Sequence, residues 1–118
     1  MWATTIKETG EFIGFVGLSI PSFEAHFTPC VEIGWRLTSS HWGKGYATEA
    51  ALAVLKIGFE KYRLKEIVSF TASVNKRSIR VMEKIGMIHN VKDDFNHPKL
   101  AIDHPLSRHV LYRISSSR

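Results

Sequence analysis

Two glycines one residue apart lie in the run His41-Trp42-Gly43-Lys44-Gly45-Tyr46-Ala47-Thr48-Glu49-Ala50, between a strand-like segment and a long apolar-periodic one. Glycine accepts backbone angles that let a chain turn tightly and point several N–H groups at one place. The first N–H groups of a helix lack intrahelical partners, and the helix dipole adds partial positive charge there. Strand, glycine turn and helix start in that order therefore make an anion site, most naturally for phosphate. The backbone from Gly43 to Thr48 is its expected cradle, with Lys44 either adding charge or standing in solvent.

Other reactive side chains are weaker candidates. Cys30 sits among Pro29, Val31 and Ile33 with no assignable His or acidic partner, so it reads as a packed thiol. One cysteine allows no internal disulfide, which suits a reducing compartment. His89, His97, His104 and His109 show no paired metal-ligand spacing, and no structural metal is expected. The densest basic cluster, Lys76-Arg77-Ser78-Ile79-Arg80, opens a second helical stretch and reads equally well as a solvated face.

The elements that must position the turn follow from periodicity. Thr4 to Lys7 and Phe12 to Ile20 read as strands of a hairpin around Glu8-Thr9-Gly10-Glu11. Pro21 to Pro29 reads as a loop. Val31 to Leu37 alternates like a half-buried strand, with Gly34 marking a bulge or a close backbone approach. The helix from Tyr46 to Tyr62 carries one stripe: Ala47, Ala50, Ala51, Val54, Leu55, Gly58, Phe59 and Tyr62. Glu66 to Ala72 reads as a strand, Asn75 as a cap or loop residue, and Ser78 to Ile85 as a short helix stopped by Gly86. Met87 to Val91 and His109 to Ile114 read as strands, separated by a polar connection from Lys92 to Arg108 long enough to be functional. The result is one α/β domain over residues 1–118: a mixed, mostly antiparallel sheet with helices packed on it.

The chain is 44% hydrophobic and 23% charged, ordinary for a soluble domain. No stretch approaches the roughly 18 apolar residues of a membrane span, and the first residues lack a signal-peptide core. A cytoplasmic protein without a membrane partner is the expectation. The net charge of +5 is compatible with nucleic acid, an acidic protein surface or a polyphosphate cofactor. Without a basic stripe interleaved with aromatics, nucleic acid is not the expected partner.

In this order and with these residues, nearly the whole chain resembles the GNAT superfamily of acetyl-CoA-dependent N-acetyltransferases, closest to its RimJ/RimL-type branch. Trp42-Gly43-Lys44-Gly45-Tyr46-Ala47-Thr48 is similar to the family's pyrophosphate turn, although Trp42 stands where the pattern has Gln or Arg. Asn75-Lys76-Arg77-Ser78, running into Glu83-Lys84-Ile85-Gly86-Met87, is similar to its second cofactor-contacting segment. Many members carry a Tyr seven residues after that Asn, where this chain has Met82; the RimJ/RimL branch can use a Ser three residues after it, matching Ser78.

The resemblance implies acetyl-CoA as cofactor and direct attack by an amine, either a protein N-terminus or a small molecule. Residues 42–48 would hold the pyrophosphate, and Asn75 the pantetheine amide. Arg77 would lie near the phosphates. Gly34 and Trp35 would border the slot where a backbone N–H meets the thioester carbonyl. Glu32 would be the base and Ser78 the acid. The resemblance also implies a strand and two helices ahead of the hairpin. Their absence here suggests pairing of the Thr4–Lys7 edge with a second copy, or a shortened form. An idle acyl-CoA-binding remnant and a small basic RNA- or ribosome-associated module are the alternatives.

Overall fold

The protein's structure, a computed structural model, describes residues 2–5, 12–37 and 45–116. Along the chain run β1 (Trp2–Thr5), β2 (Phe12–Ser19), β3 (Glu32–Leu37), α1 (Tyr46–Glu60), β4 (Glu66–Ala72), α2 (Lys76–Lys84), β5 (Ile88–His89), β6 (Phe95–Asn96) and β7 (Arg108–Ser115). The strands form one sheet in the order β1-β2-β3-β4-β7-β5, with β6 paired to β7 beside that path. Every pairing is antiparallel except that of β3 with β4. This is the mixed, mostly antiparallel sheet that the periodicity predicts. The hairpin turn at Glu8–Glu11 lies outside the described residues.

Both helices pack on one face. Ala51, Val54 and Leu55 of α1 and Met82 of α2 join Ile33, Ile67 and Tyr112 from the sheet in the larger core. The opposite face carries a smaller cluster built on Phe27, Val68, Phe95 and Leu111. Strand alternation explains the division: Ile33 and Ile67 point to the helices, whereas Val68 and Leu111 point away.

Several expectations need correction. The helix ends at Glu60, and Tyr62 is 53% exposed rather than the last member of the buried stripe. The chain reverses at Arg63 (φ 53°) with the Leu64 N–H bonded to the Gly58 carbonyl, so Leu64 takes the packing position instead. Gly34 makes no bulge, because the β2–β3 register runs unbroken through Gly17 and Gly34. The irregularity falls between Thr4 and Thr5 of β1. The strand expected from Met87 to Val91 shortens to two residues, and β6 arises inside what reads as a loop. Gly86 does stop α2, with φ 91° and the Met87 N–H reaching the Met82 carbonyl at 3.0 Å.

Gly58 is where α1 comes closest to the sheet. A Cβ there would lie 2.8 Å from Ile67 Cδ1 and 3.3 Å from Leu18 Cδ1. Gly58→Val is expected to destabilise the protein by about 2 kcal/mol through overpacking. Gly58→Ala should be close to neutral, since alanine's helix preference, about 1 kcal/mol, opposes a small displacement of the Ile67 tip. Urea unfolding of the two variants measures both.

Candidate active site

The parallel seam between β3 and β4 is one residue pair long, Glu32 with Val68. There the Val68 N–H donates to the Val31 carbonyl at 2.9 Å, and the Ser69 hydroxyl to the Ile33 carbonyl at 3.0 Å. Val31 and Ile33 thus aim their carbonyls at β4. Alternation aims the N–H and C=O of Trp35 the same way, past the point where the register ends. Beyond Glu32 and Val68, residues 34–37 of β3 and 70–72 of β4 make no ladder pairs with each other, and this unpaired stretch is the candidate slot. Gly34 brings no side chain to it.

α1 packs against β2 and β3. Gly45 is its N-cap in the left-handed conformation, φ 80° and ψ 0°, and supplies no side-chain cap. The first helical bond runs from the Glu49 N–H to the Gly45 carbonyl at 3.0 Å. The amides of Ala47 and Thr48 in the first turn therefore have no intrahelical acceptor, as at any helix start. A Cβ built on Gly45 meets nothing within 4 Å among the described residues. Trp42, Gly43 and Lys44, the rest of the expected cradle, lie outside the described residues.

The second helix is α2. Asn75 is its N-cap and accepts from the Ser78 N–H at 3.3 Å, while its Nδ2 donates to Thr71 Oγ1 at 3.1 Å. Asn75 thus ties the end of β4 to the helix, which is the capping role its position suggests. Thr71, four residues upstream, is the partner the sequence reading passes over. Its signal is a hydroxyl near the end of an alternating strand. Trp35 Nε1 donates to Ser78 Oγ at 3.3 Å, joining β3 to α2 across the slot. An indole nitrogen is donor-only, so the serine hydroxyl must accept and keeps its own proton to give elsewhere. Arg77 stands exposed on the first turn of α2.

Glu32 lies on the face away from the helices, as its register with Val68 requires. Burial raises its carboxyl to about pKa 7, against a smaller opposing effect of a hydrogen bond with Ser19. A carboxylate that titrates near neutrality can take a proton and release it again. Cys30 is half-buried in the same region. Burial first, and the charge of Glu32 second, push its thiol up, so it stays protonated. The Trp35–Ser78 and Asn75–Thr71 bonds bring β3, the end of β4 and the start of α2 together, Gly45 opens α1, and Glu32 is the β3 member of the one ladder pair.

Residues 1–88 match the model of the Acetyltransferase (GNAT) domain family. The chain belongs to the GNAT acetyltransferase family. It is 41% identical over 87 residues to the uncharacterized protein YkkB of Bacillus subtilis, an alignment covering 74% of this chain and 49% of YkkB. It is 35% identical over 91 residues to the FsC-acetyl coenzyme A-N(2)-transacetylase of Aspergillus fumigatus, covering 74% of this chain and 38% of that protein. The fold is similar to that of a GNAT-family acetyltransferase from Bacillus anthracis, with TM-score 0.79 and 28% identity over 98% of this chain and 66% of the other. The chain spans about half the length of YkkB, the first of these curated relatives.

Proposed function

We propose that this GNAT chain binds acetyl-CoA and transfers its acetyl group to a primary amine, a protein N-terminus or a small molecule, in the manner of the RimJ/RimL branch. The observation that carries the reading is the one-pair β3–β4 seam, beyond which the two strands are unpaired, with the glycine-started α1 packed on β3. An unpaired strand edge suits the amide-rich pantetheine arm, and a glycine-started helix N-terminus suits a diphosphate. The chain's residues therefore fit the cofactor. Ser78 in place of a tyrosine at Met82 supports the branch.

Acetyl-CoA supplies an activated thioester whose carbonyl carbon an amine can attack directly. The amides of Gly45, Ala47 and Thr48 would hold its diphosphate, with Trp42, Gly43, Lys44, Tyr46 and Arg77 as the further contacts proposed. The Trp35 N–H, on the β4 side of β3, is placed to donate to a carbonyl oxygen as negative charge develops there. Glu32 would take a proton from the incoming ammonium, directly or through water. Ser78 would give its hydroxyl proton to sulfur, with the Trp35 indole fixing which way that hydroxyl donates.

Calorimetric titration with acetyl-CoA tests the reading, and micromolar binding is the expected result. Thiol release with a panel of primary amines then tests turnover. Binding without turnover would support the second reading, a protein that binds the cofactor without transferring its acetyl group. Absence of binding would overturn both.

A further inference from the structure

The sheet face that carries Glu32 also carries an aromatic surface that the transfer chemistry does not use. Phe27 and Phe95 are buried at its base, while Phe23, Phe70, His97 and His109 are half-exposed above them. Their rings pack at the distances and tilts aromatic groups prefer. Phe23 meets Phe70 edge-on at 5.5 Å and His97 at 4.6 Å; His97 lies 5.0 Å from His109, and Phe70 6.3 Å from each histidine. Two loops hold these rings in place. In one, the Ala25–Thr28 turn sets Phe23 and Phe27, through the Thr28 hydroxyl bonded at 2.9 Å to both the Ala25 N–H and carbonyl. In the other, the His97 N–H reaches the Ser107 carbonyl at 2.7 Å. Lys99 Nζ donates to Ser22 Oγ at 3.0 Å and so ties the two loops together.

Register places this surface at the slot. Phe70 follows Val68, the last β4 residue paired with β3, by two positions on the same face, and Glu32 is Val68's partner. An amine delivered to Glu32 from this side has the ring surface beside it.

The two imidazoles of this surface are held toward their neutral forms. His97 Nδ1 accepts from the Lys99 N–H at 3.1 Å and is therefore bare. His109 Nδ1 faces the Ser107 carbonyl at 3.2 Å and must carry a proton there. Burial lowers both imidazoles below the ordinary histidine pKa, with Lys99 adding to the effect at His97 and neutral His109 also facing His97. Of the nearby carboxylates, Asp93 turns to Arg113 at 3.1 Å and Asp94 to His89 at 2.7 Å, while Glu24, next to Phe23, is exposed to solvent. A polycation would find no row of carboxylates here to bind it.

We infer that Phe23, Phe70, His97 and His109 form the acceptor wall, and that the acceptor is a primary amine carried on an aromatic ring. The inference rests on the acetyl-transfer reading, because Glu32 is what makes this the acceptor side.

The test uses the full chain and three probes: 2-phenylethylamine, hexylamine and spermidine. Hexylamine carries the same ammonium without a ring and so removes any general attraction of cations to aromatic faces. By saturation-transfer NMR, 2-phenylethylamine is expected to bind about tenfold tighter than hexylamine, with its ring protons taking the largest transfer. Phe23→Leu and His97→Asn, the second keeping an acceptor for the Lys99 N–H, should each weaken 2-phenylethylamine about threefold or more and leave hexylamine unchanged. Equal binding of the two monoamines, tightest binding of spermidine, or indifference to both substitutions would overturn the wall. Acetyl-CoA titrated in parallel keeps the two failures apart, since its loss alone condemns the transfer reading and not the ring preference.

Discussion

Glu32→Gln is expected to lower kcat for acetyl transfer by about a hundredfold or more, the usual scale for removing a positioned general base. The acceptor amine is mostly protonated at neutral pH, and an ammonium has no lone pair with which to attack. Glutamine fills the same volume but takes no proton. In the native protein kcat should rise with pH through an inflection near the Glu32 pKa of about 7. In the variant that inflection disappears, so the profile distinguishes a lost base from a disturbed fold. Retention of both rate and inflection would remove Glu32 from the mechanism.

The same substitution should alter stability in the opposite direction. The folded protein holds the Glu32 proton more tightly than the unfolded chain, because burial raises the carboxyl from its ordinary 4.5 to about 7. Between those pH values the folded state binds more protons, and its stability falls as pH rises across the window. Above about pH 7 the charged carboxylate stays half-buried at a cost that glutamine does not carry. Thermal melts at pH 8 should therefore place Glu32→Gln above the native protein, with the advantage vanishing near pH 4.5. A buried carboxyl that weakens the fold at neutral pH is the pattern expected where function rather than stability sets the residue.

The elements that could be read from the sequence were those decided by local patterning. Ala51, Val54 and Leu55 fall on one helical stripe whatever lies opposite them, and the Gly86 stop depends only on its own φ. The residues misread were those decided by partners distant in the chain. Tyr62 continues the helical period, but the chain leaves the helix at Lys61 and hands its packing position to Leu64. Phe95 and Asn96 make a strand only because β7 lies beside them, and two residues carry no period of their own. Phe23 lies in a stretch with no regular spacing, so its place beside His97 depends on a contact 74 residues along the chain. The candidate site divides in the same way. Gly45 and Asn75 are visible as turn and cap residues, whereas the shift at Glu32 and the Trp35–Ser78 bond exist only once β3, β4 and α2 have met.

Gly45→Asn separates the two reasons for glycine at the start of α1. The first is backbone conformation: at φ 80° most L-residues are strained by about 1–2 kcal/mol, but asparagine tolerates this region. The second is space: a Cβ there meets nothing within 4 Å among the described residues, and a diphosphate held by the first-turn amides would compete for that volume. If that volume belongs to a diphosphate, Gly45→Asn should melt within a few degrees of the native protein yet bind acetyl-CoA about a hundredfold more weakly. That factor corresponds to losing one or two charge-assisted hydrogen bonds of about 1.5–3 kcal/mol each. Gly45→Val adds the strain to the obstruction and should lose both binding and stability. The comparison is decisive because conformation and space predict different results for asparagine. Native affinity in Gly45→Asn would mean that the helix start holds no phosphate, and the slot would then have to bind its ligand by the β3 and β4 edges alone.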